Sequence, residues 1–210
     1  VNPERRSYQP IPVYNNNIWQ APSLARIIEL SSSYCQLIES MRQEKFVTFS
    51  SHSMSFKTLV EVDYWPVDMI SDDSVIYWRA FIFYNGDYHV VPMYVTVSMD
   101  IAYGRGFLRT LAVQYRQKRR WAWGVENFVY VMNSFLQGSK IPFRTKLCRV
   151  FNLLESHISW ATWAIIITLL TPLPILSGGL LFEGSVTGFS FTRITTLLFG
   201  TTNFLILVWI

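Results

Sequence analysis

Two short clusters in this sequence carry side chains suited to taking a proton and gripping phosphate. Ser71-Asp72-Asp73 sets two carboxylates side by side ahead of an apolar stretch. A carboxylate there can act as general base toward a hydroxyl; taken alone, the triplet is also an ordinary helix cap. Gln117-Lys118-Arg119-Arg120-Trp121 fits the pattern Q-x-x-R-W and offers an amide, a permanent cation and an indole at close spacing. An arginine fork binds phosphate oxygens in bidentate fashion, and an indole face can stack on the apolar face of a sugar ring. Taken alone, this second cluster is a basic helix beside a membrane with an anchoring tryptophan.

The elements that must position these clusters follow from the pattern along the chain. Residues 1–21, with Pro3, Pro10 and Pro12 and the run Asn15-Asn16-Asn17, read as loop or extended chain. Leu24, Ile27, Ile28, Tyr34, Leu37, Ile38 and Met41 recur at helical spacing behind Pro22, which predicts a helix over 22–43. Phe46 to Lys57 reads as a short strand and a Ser-rich turn. Asp72 and Asp73 suit the cap and first turn of a helix over 74–83. Asn85-Gly86-Asp87 signals a turn, and Tyr88 to Ser98 reads as a strand. Gly106 to about Leu136 is helical in pattern, broken near Gly124. Lys140 to Glu155 has Phe143, Leu147, Val150, Phe151 and Leu154 on one side, and Arg144, Lys146 and Arg149 on another. That is the pattern of a helix lying in a membrane interface.

Composition points the same way. Of 210 residues, 50% are hydrophobic and only 15% charged, against about a quarter charged in an ordinary soluble domain. Nearly all the charge falls in 1–157. Ile158 to Phe182 contains no charged residue and is long enough for a membrane span, which takes about 20 apolar residues. Ile194 to Ile210 is a second apolar run. The basic residues ahead of the first run place 1–157 on the cytoplasmic side of an inner (plasma) membrane, and the 183–193 loop outside. Cys35 and Cys148 form no CxxC pair, and His52, His89 and His157 have no metal-ligand spacing. The chain starts with Val1 and ends within an apolar run, so it reads as a fragment.

Taken together, the motifs resemble the family 2 glycosyltransferases of the cellulose-synthase and hyaluronan-synthase type. In that family a T/S-E/D-D triplet precedes Q-x-x-R-W and then membrane helices. Trp123-Gly124 is similar to the continuation R-W-x-x-G, Gly86 and Pro92 to the family's intervening segment, and Phe49 to Lys57 to its acceptor-side strand and turn. The resemblance covers roughly Phe46 to the end and departs from the commonest form in having Asp72 where Glu is usual.

The fold this resemblance implies is α/β plus membrane α. The C-terminal part of a cytoplasmic GT-A (Rossmann-like) domain would span 1–137, an amphipathic interface helix 138–157, and a transmembrane hairpin 158–210. The implied activity is inverting transfer from a nucleotide-sugar, usually a UDP-sugar, to a growing polysaccharide or other glycan acceptor. Asp73 would be the base and Asp72 its support. Gln117, Arg120 and Trp121, with Ser51 and His52, would form the acceptor and diphosphate site. The family's Mg²⁺ or Mn²⁺ would take its ligands from a D-x-D motif upstream of Val1, which leaves this fragment inactive alone. Nucleotide-sugar donor, glycan acceptor and membrane lipids are the expected partners, and nucleic acid is not among them. Two other readings are a non-catalytic membrane-anchored binding protein and a degenerate or split glycosyltransferase subunit. A transporter fits less well, because the apolar runs lack the ionisable residues that mark ion paths.

Overall fold

A computed structural model describes residues 2–170 and Leu197. The chain divides into two compact units, Val1–Glu155 and Ser156–Ile210. In the first, the elements run β1 (Arg6–Val13), α1 (Ser23–Ser40), β2 (Ser53–Met54), α2 (Phe56–Glu61), α3 (Asp72–Phe83), β3 (His89–Ser98), α4 (Phe107–Ala122) and α5 (Glu126–Leu136); α6 spans Phe143–Leu170. A single 3-10 turn, Trp123–Val125, joins α4 to α5, at the break expected near Gly124.

The sheet is small and mixed, in the order β2-β1-β3. β1 runs parallel to β3 along its length, from Arg6 opposite His89 to Val13 opposite Ser98, with a register shift between Pro10 and Ile11. β2 pairs antiparallel with only Ser7 and Tyr8. Pro10 and Pro12 therefore lie beyond the β2 pairing, where that edge of β1 is open and a missing N–H leaves no β2 partner unpaired. A proline-bearing segment that reads as loop or extended chain thus forms the middle strand.

The core gathers around α3. Val75, Ile76, Tyr77, Trp78, Ala80 and Phe81 are all buried, a run without alternation, as expected of a helix surrounded on most sides. Tyr77 stacks on Phe81 with ring centroids 5.8 Å apart, and Tyr84 on Tyr88 at 6.0 Å. The chain leaves α3 through Asn85 (φ +52°) and Gly86 (φ +93°), the left-handed pair that the Asn-Gly signal anticipates. Ser7 Oγ and Tyr88 Oη, both buried, lie 2.6 Å apart and tie β1 to the start of β3.

α1 has an unusual orientation. Its buried positions are Ala25, Glu29 and Ser40, while Ile27, Tyr34 and Met41 are more than 60% exposed. The helix lies where its apolar period predicts, but it turns a polar stripe inward.

The membrane architecture expected from the sequence is corrected here. In place of the C-terminal part of a GT-A domain followed by interface and transmembrane helices, the structure has a small α/β domain with a three-stranded sheet. Among the described residues no helix is long and apolar enough to cross a membrane. Three charged residues in the first half of α6, Lys146, Arg149 and Glu155, are tied to the first unit, while Arg144 is exposed. Lys146 Nζ donates to the Phe135 carbonyl at 2.9 Å, Arg149 donates to the Glu44 carbonyl and lies over the Phe81 ring, and Lys45 pairs with Glu155 at 3.4 Å. The rest of the first apolar run, 171–182, the 183–193 loop, and the second run apart from Leu197 lie outside the described residues.

Candidate functional site

The N-terminus of α3 delivers the two carboxylates, and its setting comes from three other segments. The Ser71 N–H and Oγ–H both donate to Glu126 Oε1, at 2.8 and 2.7 Å. Ser71 Oγ also lies 3.3 Å from Asn127 Oδ1, and Asn127 Nδ2 donates to Ser74 Oγ at 2.7 Å. The first turn of α5 thus holds the first turn of α3, and the segment after Q-x-x-R-W is fastened to Ser-Asp-Asp.

Asp73 is held from the other side. The Ser50 N–H donates to Asp73 Oδ2 at 2.7 Å, and Thr48 Oγ1 donates to the Asp73 carbonyl at 2.7 Å. Ser50 adopts φ +46°, a left-handed conformation that costs a non-glycine residue roughly 1–2 kcal/mol. Such strain persists where the surroundings enforce it and concentrates at functional sites. Here the enforcing residue is Gln9, 1% exposed on β1. Its Oε1 accepts from the Phe49 N–H and its Nε2 donates to the Ser51 carbonyl, both at 3.0 Å. Asp73 Oδ1 makes no hydrogen bond among the described residues.

α4 supplies the second motif. Its start is anchored by Thr110 Oγ1, which donates to the Gly106 carbonyl at 2.9 Å and accepts from the Gly104 N–H at 3.1 Å. Gln114 Nε2 adds a bond to the Ala102 carbonyl at 2.7 Å. From this helix Gln117, Arg120 and Trp121 reach a cleft of about 530 Å³ that Asp72 and Asp73 also line, together with Gly124. The structure therefore brings together Asp72, Asp73, Gln117, Arg120 and Trp121, with Ser71 and Gly124 of the same two motifs beside them. Arg120 is exposed and makes no hydrogen bond or ion pair among the described residues. Gln117 Oε1 is buried and lacks a partner among them.

Ser51 and His52 do not line the cleft; their neighbours Phe49 and Ser50 do. The Ser51 carbonyl is used by Gln9, and His52 Nδ1 lies 3.0 Å from the Ser50 carbonyl. Sequence reasoning missed the opposite wall: Tyr14, Ser32, Gln36 and Asp100. Gln36 Oε1 is a second buried acceptor without a partner among the described residues. Its signal was available, because Glu29, Ser32 and Gln36 follow the i, i+3, i+7 spacing of one helix face.

Behind that wall stands a buried charge pair. Lys118 Nζ lies 3.1 Å from Glu29 Oε2, with Glu29 fully buried. Burial lowers the Lys118 pKa, and the Glu29 charge works against that fall. Tyr14 is pushed up to about 12, first by burial and then by Glu29. Among the described residues no group of three or more His, Cys, Asp or Glu side chains is arranged to hold a metal ion. The magnesium or manganese that the resemblance implies has no ligand set there.

Among the described residues, the cleft thus offers a carboxylate oxygen free to take a proton, a guanidinium free to meet an anion, an indole and two amide oxygens without donors. In comparisons with known proteins, no family model, no curated protein and no solved structure matches this chain.

Proposed function

We infer that the cleft is the acceptor and diphosphate side of an inverting nucleotide-sugar glycosyltransferase. The observation that carries this reading is the convergence of Asp73, Gln117, Arg120 and Trp121 on one cleft, although the two motifs lie on different helices. In this reading Asp73 Oδ1 takes the proton of an acceptor hydroxyl as that oxygen attacks the anomeric carbon of the donor sugar. The bond from that carbon to the diphosphate oxygen breaks, and the nucleoside diphosphate leaves with its electron pair. Arg120, which has no protein partner among the described residues, meets the growing negative charge on the diphosphate. Trp121 stacks on the acceptor sugar, and the orphaned amide oxygens of Gln117 and Gln36 receive sugar hydroxyls. A buried acceptor left without a donor is costly, so a hydroxyl-rich ligand suits this floor better than an apolar one.

The test is a transfer assay with Trp121→Ala, following sugar transfer and donor hydrolysis in parallel. Transfer falls while hydrolysis holds if Trp121 is an acceptor platform. Equal loss of both removes the acceptor assignment.

A further inference from the structure

Lys118 belongs to the Q-x-x-R-W segment, yet it is committed elsewhere. An ammonium has three N–H donors. Here one meets Glu29 Oε2 at 3.1 Å and one meets Ser32 Oγ at 3.1 Å. The third partner is the ring of Trp121, with Nζ 3.6 Å from its centroid. All three donors are accounted for, and the Lys118 side chain is only 20% exposed, so no donor remains for a phosphate. Glu29 carries no other hydrogen bond among the described residues, and its Oε1 has no partner there. A charge buried to this degree for one contact is an expensive arrangement for stability alone. Trp121 itself is 41% exposed and lines the cleft.

The geometry points to Glu29 and Lys118 as positioning residues that fix the Trp121 ring by covering one of its faces with an ammonium, leaving a single ring face for a pyranose to stack on. This deepens the glycosyltransferase reading and rests on it for the identity of the ligand. The fixed ring does not depend on that reading. The attraction of the ammonium to the negative face of the ring quadrupole holds the indole against Nζ, 3.6 Å from its centroid.

The experiment uses the chain labelled with 5-fluorotryptophan, with the Trp121 resonance assigned through Trp121→Phe. Lys118→Met alone leaves Glu29 buried and unpaired and risks unfolding, so the decisive variant is Glu29→Gln with Lys118→Met, which removes both charges together. The other tryptophan resonances report that the fold is kept. The Trp121 signal should move and broaden or split in the double variant while the others hold. A Trp121 signal unchanged in position and width overturns the positioning role. Titration with cello- and chito-oligosaccharides then separates the two levels. Binding that moves the Trp121 signal, and that weakens by about three- to tenfold in the double variant, supports both. A mobile ring in the variant with no oligosaccharide response in either protein keeps the positioning role and overturns the pyranose platform.

Discussion

Glu126 Oε1 accepts both the backbone N–H and the hydroxyl of Ser71, at 2.8 and 2.7 Å, so the N-cap residue of α3 is held by the first residue of α5. Asp72 and Asp73 follow Ser71 directly, and their position relative to α4 passes through this contact. Glu126→Ala leaves the Ser71 N–H and hydroxyl without their acceptor. It should destabilise the fold by about 1–3 kcal/mol, lowering the Tm by roughly 2–4 °C per kcal/mol for a chain of this size. Thermal unfolding checks this, and Glu126→Gln, which keeps an acceptor oxygen, should recover part of the loss.

Gln9 holds the 49–51 turn with both ends of its amide. Gln9→Leu keeps the volume but frees the Phe49 N–H and the Ser51 carbonyl. The Ser50 amide should then lose protection, because its bond to Asp73 Oδ2 depends on a φ that nothing else enforces as directly. Hydrogen exchange at Ser50 should rise by at least tenfold, with the α3 amides from Ile76 to Phe81 unchanged. Equal acceleration throughout would mean that the turn is not locally held.

Among the described residues, Arg120 is placed as the free cation of the cleft. Arg120→Ala should weaken UDP binding by about ten- to a hundredfold, within the range of hydrogen bonds to charged groups. Arg120→Lys should recover only part of this, since a point charge does not reproduce the bidentate fork. Calorimetric titration with UDP gives both values.

Alkaline pH should unfold the protein through its buried phenols. Tyr14 and Tyr88 are each pushed up to about 12, in both cases mainly by burial. Below pH 10 both are protonated whether the chain is folded or not, and they add no pH dependence. Between pH 10 and 12 the unfolded chain releases these protons and the folded one keeps them, so stability falls as pH rises through that window. Denaturant unfolding at a series of pH values, with tyrosinate absorbance as a second probe, should show the midpoint dropping above pH 10. Tyr88→Phe should flatten the drop.

The motif residues were legible because each motif is local. Ser-Asp-Asp and Q-x-x-R-W each span a few positions, and the helices that carry them were readable from period and cap chemistry. The middle strand was not legible. Pro10 and Pro12 argue against a central strand unless one knows that β2 is two residues long and leaves that edge open. The far wall was signalled by the polar spacing of Glu29, Ser32 and Gln36, but a stronger apolar pattern on the same helix outweighed it. An apolar stripe on α1 suggests a buried face, yet Glu29 is buried and Ile27 and Tyr34 are exposed. Only the partner of Glu29, far along the chain at Lys118, explains the inversion. The hold of Glu126 on the N-cap of α3 is likewise a long-range choice that no window of sequence contains. Among the described residues no helix is long and apolar enough to cross a membrane, and α6 begins at Phe143 and takes in charged residues that dock on Phe135, Glu44 and Phe81, which a count of apolar residues along the sequence does not show.

The most direct measurement is transfer of label from a panel of UDP-sugars to oligosaccharide acceptors by the natural gene product, comparing wild type with Asp73→Asn. The asparagine keeps an oxygen to accept from the Ser50 N–H, so the cleft stays formed while the base is removed. Transfer should fall by about 10²- to 10⁴-fold, the usual contribution of a general base, with UDP affinity unchanged. Transfer by Asp73→Asn at the wild-type rate would contradict the account.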